Sequence, residues 1–471
     1  MTPSKITIPL LLGIAGTIGF NLSPIVLGFG MTMIVCFLVY AGIMLFLSFA
    51  DRRVLGYATV LSACNPANSL ANLSFSFLLA ILTIIKGSPA VGRVVWELGK
   101  HRWWWLYLSA FILIGLSVPF WPSDLRETIT EVKQALSRLG YLVAFPLAVG
   151  LTIRTSRDGV RAVSLLCLIS VVLFAVFYFK GQAGKEVIAA VVKGGEPISV
   201  VQHIGNIYMN FSRTQVCIPM AALAAVSLAL GIGLGLNLRA LPFYMASGIC
   251  VFMITLLASV GSAFAMVCGM VVVALVYFRD RLFQGRIVLG VILFSIVGSA
   301  LYWSVFQTEN MLSERIKFKT AQIETSGIDR QEFWVDGISE ICNEPFGEGW
   351  TTRTGHSDWL LFSLSYGWPT GLLYIAASGS LLLSSWRALR RRRDAADRQS
   401  RMLLMVGLAA LTVYLINAIL DMLSANIGYY QIVWALILTP AAVMAVSDAS
   451  KRTTKSSVSS PLSLNQQCCR S

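Results

Sequence analysis

The chain has 471 residues, of which 56% are hydrophobic and 13% charged, and its formal net charge is +14. Soluble domains carry about 25% charged residues, so this composition excludes a soluble globular enzyme. Apolar runs near the ~20 residues needed to cross the hydrocarbon recur from one end to the other. The basic excess does not indicate nucleic acid, because Lys and Arg punctuate the ends of apolar runs and form no patch interleaved with aromatics.

The expected fold is an all-α integral membrane protein, a polytopic bundle. In chain order, residues 6–50 have room for two spans. The first, from Ile6, reads as a retained helix, since it has no basic n-region followed by a small-residue cleavage site. The Asp51-Arg52-Arg53 triplet belongs inside, which leaves 54–67 as a short or re-entrant piece. Spans are then predicted at 68–85, 103–121, 138–153, 159–179, 214–236, 242–258, 262–278, 287–306, 368–387, 402–420 and 428–447. The total is about 12–14 transmembrane helices. Short loops rich in Lys and Arg stay in the cytoplasm, and the strongest of them is "WRALRRRRDAADRQSR" at 386–401. Counting from it puts Lys86/Arg93/Lys100/Arg102, Arg154/Arg157/Arg161 and Arg279/Arg281/Arg286 inside as well. Loops 122–137, 180–213 and 307–367 fall outside. The polytopic domain covers 1–447 with no internal repeat, and its Ser-, Lys- and Gln-rich end at 448–471 reads as a disordered cytoplasmic tail. Of nine cysteines, six lie in apolar runs and Cys468 and Cys469 form a tail pair. Cys342 alone sits in a clearly polar loop, so no disulfide framework or zinc spacing is present.

The default reading of the loop 307–367 is a solvated connector, and its length weakens that default, because structureless connections beyond about 12–15 residues are uncommon and tend to be functional. Within it "IDRQEFWVDGISEICNEP" has helical spacing. Phe333, Trp334, Ile338 and Ile341 mark one face, and Glu332, Asp336 and Glu340 the other. Asp329 is a plausible N-cap and Pro345 a stop, which brackets an amphipathic helix at 330–344. Arg330 falls in its first turn, where free N–H groups favour anions. It either chelates a phosphate or pairs with Glu332 or Asp336 on a wet surface. Gly347 and Gly349 in "PFGEGW" free the backbone to turn sharply and approach a ligand closely.

The chain has three histidines, His101, His203 and His356. His101 lies in a predicted cytoplasmic loop and the other two outside. Imidazole is the side chain suited to proton transfer near neutral pH. His356 follows the glycine segment and precedes an apolar run, so it stands where the loop enters the bundle, in either a structural or a catalytic role. Arg213 ends the loop 180–213 at the mouth of a span. There it either snorkels to headgroups or shares an anion with Arg330.

Arg330 followed by Trp334, then "NEPFGEGW", then "GHSDWLLFSLSYGWPTGLL", resembles the signature of the O-antigen ligase and polymerase superfamily. "FWPSDLRETI" at 120–129 is similar to that family's Trp-Ser-x-x-Pro loop, and the similarity reaches weakly from about 103 to 447, with a ligase-like region at about 200–385. Members are bacterial inner-membrane, multi-pass glycosyltransferases working at the periplasmic face. The resemblance implies transfer of a glycan from undecaprenyl diphosphate to an acceptor hydroxyl, as a ligase to lipid A core or as a polymerase of repeat units in lipopolysaccharide or exopolysaccharide biosynthesis. His356 would act as base, Arg330 and Arg213 would bind or stabilise the diphosphate, and Trp334, Gly347 and Gly349 would line the substrate site. No cofactor or metal is implied. Partners would be the lipid-linked donor, the acceptor, the membrane, and polysaccharide export or chain-length proteins. This chain departs from the family at Ser357, where Asn is common, and at Gly261, where Arg is common. The rival from another class is a sugar transporter or flippase, which would place ionisable groups near the bilayer midplane. Here the notable charges cluster at loops and span ends.

Overall fold

The computed structural model describes residues 51–64, 69–70, 73–121, 125–180, 213–235, 237–256, 259–278, 334–349, 357–391, 398–420 and 427–458, some of them as backbone alone, among them 213–215 and 448–458. Apart from one two-residue antiparallel pairing, β1 (Ser69–Leu70) with β2 (Leu73–Ser74), its regular structure is helical. The helices in chain order are α1 (Arg52–Ser62), α2 (Phe75–Lys86), α3 (Ser88–Gly99), α4 (Arg102–Ser117), α5 (Leu125–Ala135), α6 (Tyr141–Thr152), α7 (Ser156–Lys180), α8 (Arg213–Leu234), α9 (Leu241–Leu256) and α10 (Val260–Phe278). There follow α11 (334–343), α12 (Asp358–Tyr366), α13 (Trp368–Arg391), α14 (Arg398–Leu420) and α15 (Ile427–Val458).

Seven helical stretches among the described residues are long and apolar enough to cross a membrane: Arg102–Phe120, Thr128–Thr152, Ser156–Ala175, Val216–Leu234, Trp368–Arg391, Arg398–Ile419 and Tyr430–Ser447. The chain is thus a multi-pass, all-α membrane protein. An eighth span exists if α2 and α3 are one, but they meet at 110° across Gly87, with Pro89 at the start of α3. A proline there cannot continue the preceding hydrogen-bond ladder. The spans expected within 1–50 and at 287–306 lie outside the described residues.

Burial sorts the spans. The window in Tyr430–Ser447 is 94% buried and that in Thr128–Thr152 is 89% buried, against 28% for Trp368–Arg391 and 33% for Arg102–Phe120. Helices α6 and α15 therefore form the centre, while α4 and α13 stand at the edge. The edge helices, with α9 and α10, turn apolar stripes outward, as at Phe264, Val267, Val271 and Leu275. In water such stripes would be interaction sites; on spans they are the lipid face. Close approach between α10 and α14 uses Gly269, where a Cβ would lie 2.5 Å from the Val413 side chain.

The basic ends agree with one another. Arg398 Nε donates to the Gly233 carbonyl at 2.9 Å and Arg401 Nη2 to the Val276 carbonyl at 3.2 Å. The first residues of α14 thus cap the last turns of α8 and α10, where helix carbonyls favour cations. Arg390 and Arg391 end α13, and Arg102 begins α4. One end of the bundle is accordingly basic, and the first residue of α8, Arg213, lies at the other.

Three stretches differ from expectation. Residues 69–70 and 73–74, expected within the span 68–85, form the β1–β2 pairing, and the helix begins only at Phe75. Residues 125–137, expected in a loop, are helical: α5 runs through a π turn at Leu136–Gly140 directly into α6, and its polar residues face protein partners that hydropathy does not register. The tail expected to be disordered from 448 is helical through Val458, because it extends an already formed helix and so needs no new nucleus.

Candidate functional site

At the non-basic end, the helices converge on the segment that carried the sequence motif. Helix α11 packs on α12 through Ile341, Leu360 and Leu364, with Trp334 and Trp359 beside them. The two indoles stack at 5.6 Å. Its buried face matches the expected one at Trp334 and Ile341 and departs from it at Ile338, while Phe333 lies outside the described residues. Trp334, Gly337 and Ile341 point inward, whereas Ile338 is 45% exposed and Val335 59% exposed. The reason is Gly337, where a Cβ would stand 3.0 Å from Leu360: the missing side chain lets α12 approach there.

After α11 the chain turns at Glu344, whose carbonyl accepts from Gly347 N at 3.0 Å. Glu348 N then donates to the Leu364 carbonyl at 3.1 Å and Gly349 N to the Ser365 carbonyl at 3.0 Å. These are carbonyls of the last turn of α12, which has no intrahelical donor for them. Gly347, Gly349 and Gly367 all have positive φ, at 77°, 84° and 88°. A Cβ on Gly347 would lie 2.5 Å from Gly367 N and 2.6 Å from the Ser365 oxygen. The close approach that glycine permits at Gly347 is therefore to the protein's own backbone. At Gly349 the neighbour is the Glu131 carboxylate, about which a Cβ would be 2.4 Å from Oε2. Phe346 stacks on Phe120 at 4.5 Å, tying the turn to the end of α4.

Helix α12 begins at Ser357, whose Oγ donates to the Ala418 carbonyl of α14 at 2.9 Å. Asp358 follows, with 0% exposure. Its Oδ2 accepts from the Tyr414 hydroxyl at 2.8 Å, and the Tyr414 hydroxyl in turn meets that of Tyr374. Tyr430 adjoins Tyr374, Asp358 and Arg138. Arg138, 2% exposed, sits in the π turn and donates from Nη1 to Gln134 Oε1 at 2.9 Å. It acts electrostatically on Tyr366, Tyr430 and Asp358. Burial pushes the Tyr366 hydroxyl up to about 12, while Arg138 pulls it down and Glu131 pushes it up. The cluster sets a buried guanidinium and a buried carboxyl among phenols, whose oxygens can accept from the guanidinium and whose hydroxyls can donate to the carboxyl, as that of Tyr414 does.

Of the expected site residues, Gly347, Gly349 and Trp334 lie together at this end. Arg213 is the first residue of α8, and its backbone is on the same end of the bundle. His356 and Arg330, like His203, lie outside the described residues. Arg138 was passed over, although it opened the expected span at 138. Its signal was legible: Glu131, Gln134 and Arg138 recur at i, i+3 and i+7, a polar stripe leading into an apolar run. Lying inside the spanning stretch Thr128–Thr152, Arg138 shows that charge is not confined to loops and span ends. The chain matches no protein-family model and no curated protein.

Proposed function

We propose that the protein is an O-antigen ligase-like glycosyltransferase of the bacterial inner membrane. It would move a glycan from undecaprenyl diphosphate to an acceptor hydroxyl at the periplasmic face, as ligase or repeat-unit polymerase. The observation that supports this reading is the clamp of the Pro345–Gly349 turn onto the last turn of α12, at the end of the bundle away from Arg390 and Arg391. That clamp ties the near side of the segment carrying His356 to α12, and Ser357, whose Oγ donates to Ala418 of α14, ties the far side to a span, so both flanks of the proposed base are anchored in packed helices.

In this reaction the acceptor oxygen forms a bond to the anomeric carbon as the bond from that carbon to the diphosphate oxygen breaks. The acceptor proton passes to His356, and the negative charge growing on the diphosphate meets Arg330 and Arg213. The test is transfer by the purified protein in lipid vesicles, given an undecaprenyl-diphosphate glycan and an acceptor. Glycan appearing on the acceptor supports the proposal. Donor left intact with every glycan acceptor tried, lipid A core and repeat unit included, rejects it.

One observation favours a second reading, a transporter or flippase for lipid-linked sugar. Arg138 and Asp358 are ionisable groups buried in the bundle, the kind of residue that marks transport pathways. Movement of the donor lipid across the same vesicles without transfer would select it.

A further inference from the structure

Arg138 is a buried guanidinium whose retention packing does not explain. A buried charge carries a large desolvation cost, and an apolar side chain of similar volume commonly replaces one without loss of stability. Its surroundings are specific. It lies in a π turn, a local widening frequent at functional sites. It shares a helix face with Glu131 and Gln134, and donates to Gln134 at 2.9 Å. Tyr366 interacts with both Arg138 and Glu131, and Glu131 abuts Gly349. On its other side, Arg138 acts on Asp358, the first residue of α12. Both ends of α12 and the glycine turn thus refer to one cation.

We propose that Arg138 is a positioning residue for the glycosyl transfer: through Tyr366 and Asp358 it fixes α12, and through α12 the Pro345–Gly349 turn on which the donor is held. This rests on the proposed function for the word donor, while the mechanical part stands without it. A guanidinium suits the task because its planar fork addresses several acceptors in fixed directions, which an ammonium does not.

Hydrogen–deuterium exchange on the full-length protein in nanodiscs tests the mechanical part. In Arg138→Met, amide exchange in 345–350, which contains the clamping amides of Glu348 and Gly349, is expected to speed up about tenfold to a hundredfold. Exchange in 436–447, away from the surroundings of Arg138, should stay as in wild type, and Arg138→Lys should recover part of the protection. Should Arg138→Met fail to fold, Tyr366→Phe removes the hydroxyl alone and is expected to loosen the same segment. Unchanged exchange at 345–350 in the folded variant overturns the proposal, and so does a uniform increase over the whole protein, which would make Arg138 a general stability residue. In the transfer assay, Arg138→Met is expected to raise the KM for undecaprenyl-diphosphate glycan about tenfold with little change in kcat, the mark of lost uniform binding. Unchanged KM and kcat overturn the positioning role. Wild type without transfer would reject the function while leaving the exchange result to decide what Arg138 does.

Discussion

The glycines of the motif separate by what surrounds them. At Gly347 an added methyl would meet the backbone of Ser365 and Gly367, whereas at Gly349 it would meet the end of the Glu131 side chain. Backbone cannot swing aside and a glutamate can. Both residues also have positive φ, which costs about 1–2 kcal/mol for an L side chain. Gly347→Ala is therefore expected to lower stability by more than Gly349→Ala, by roughly 1 kcal/mol or more beyond the shared strain, read as the midpoint of thermal unfolding in detergent. Equal midpoints would mean that the turn opens freely. A sequence reader sees a Gly-x-Gly and thinks of a ligand; that the close approach at Gly347 is to Ser365 and Gly367 depends on a tertiary fold of the chain. Asp358 shows the same limit, since its partner Tyr414 is distant in sequence.

Among the elements, α11 was legible in existence, in its end at Pro345 and in the inward Trp334 and Ile341, but not in the exposure of Ile338. Apolarity favoured Ile338 for the interior, yet packing is decided by Gly337, which admits Leu360, and by Trp334, which stacks on Trp359. Trp334→Ala removes that stack. It is expected to cost about 2 kcal/mol locally, seen as faster proteolysis or hydrogen exchange in 334–343 while 430–447 remains protected. If α11 stays protected, its docking depends on Ile341 instead. Helix α5 was hidden because Arg126, Glu127, Glu131, Lys133 and Gln134 dilute the hydropathy of 122–137. Only the partners of its inward face, Tyr366 and the glycine turn, reveal why those polar residues belong on a helix. The spans at 159–179, 214–236, 402–420 and 428–447 were legible nearly to their ends, since burial in a bundle or in lipid leaves continuous apolar runs.

For the whole molecule, the proposed orientation rests on the arginine-rich segment at 386–401, and the structure adds a mechanical reading of the same residues. Arg398 and Arg401 close the ends of α8 and α10, so the basic segment proposed to orient the chain also caps its helices. The orientation predicts that a single cysteine at Thr352, in a background without other thiols, reacts with an impermeant maleimide added from the periplasmic side. Labelling only after the inner membrane is opened would invert the orientation and remove the periplasmic reaction with it.

The proposed glycosyl transfer with His356 as the base is decided by comparing His356→Ala with His203→Ala in the reconstituted transfer assay. A general base contributes about 10²–10⁴-fold, so His356→Ala should lose transfer by that factor while remaining folded and still binding undecaprenyl-diphosphate glycan, and His203→Ala should transfer as wild type does. Full transfer by a well-folded His356→Ala preparation would contradict the account.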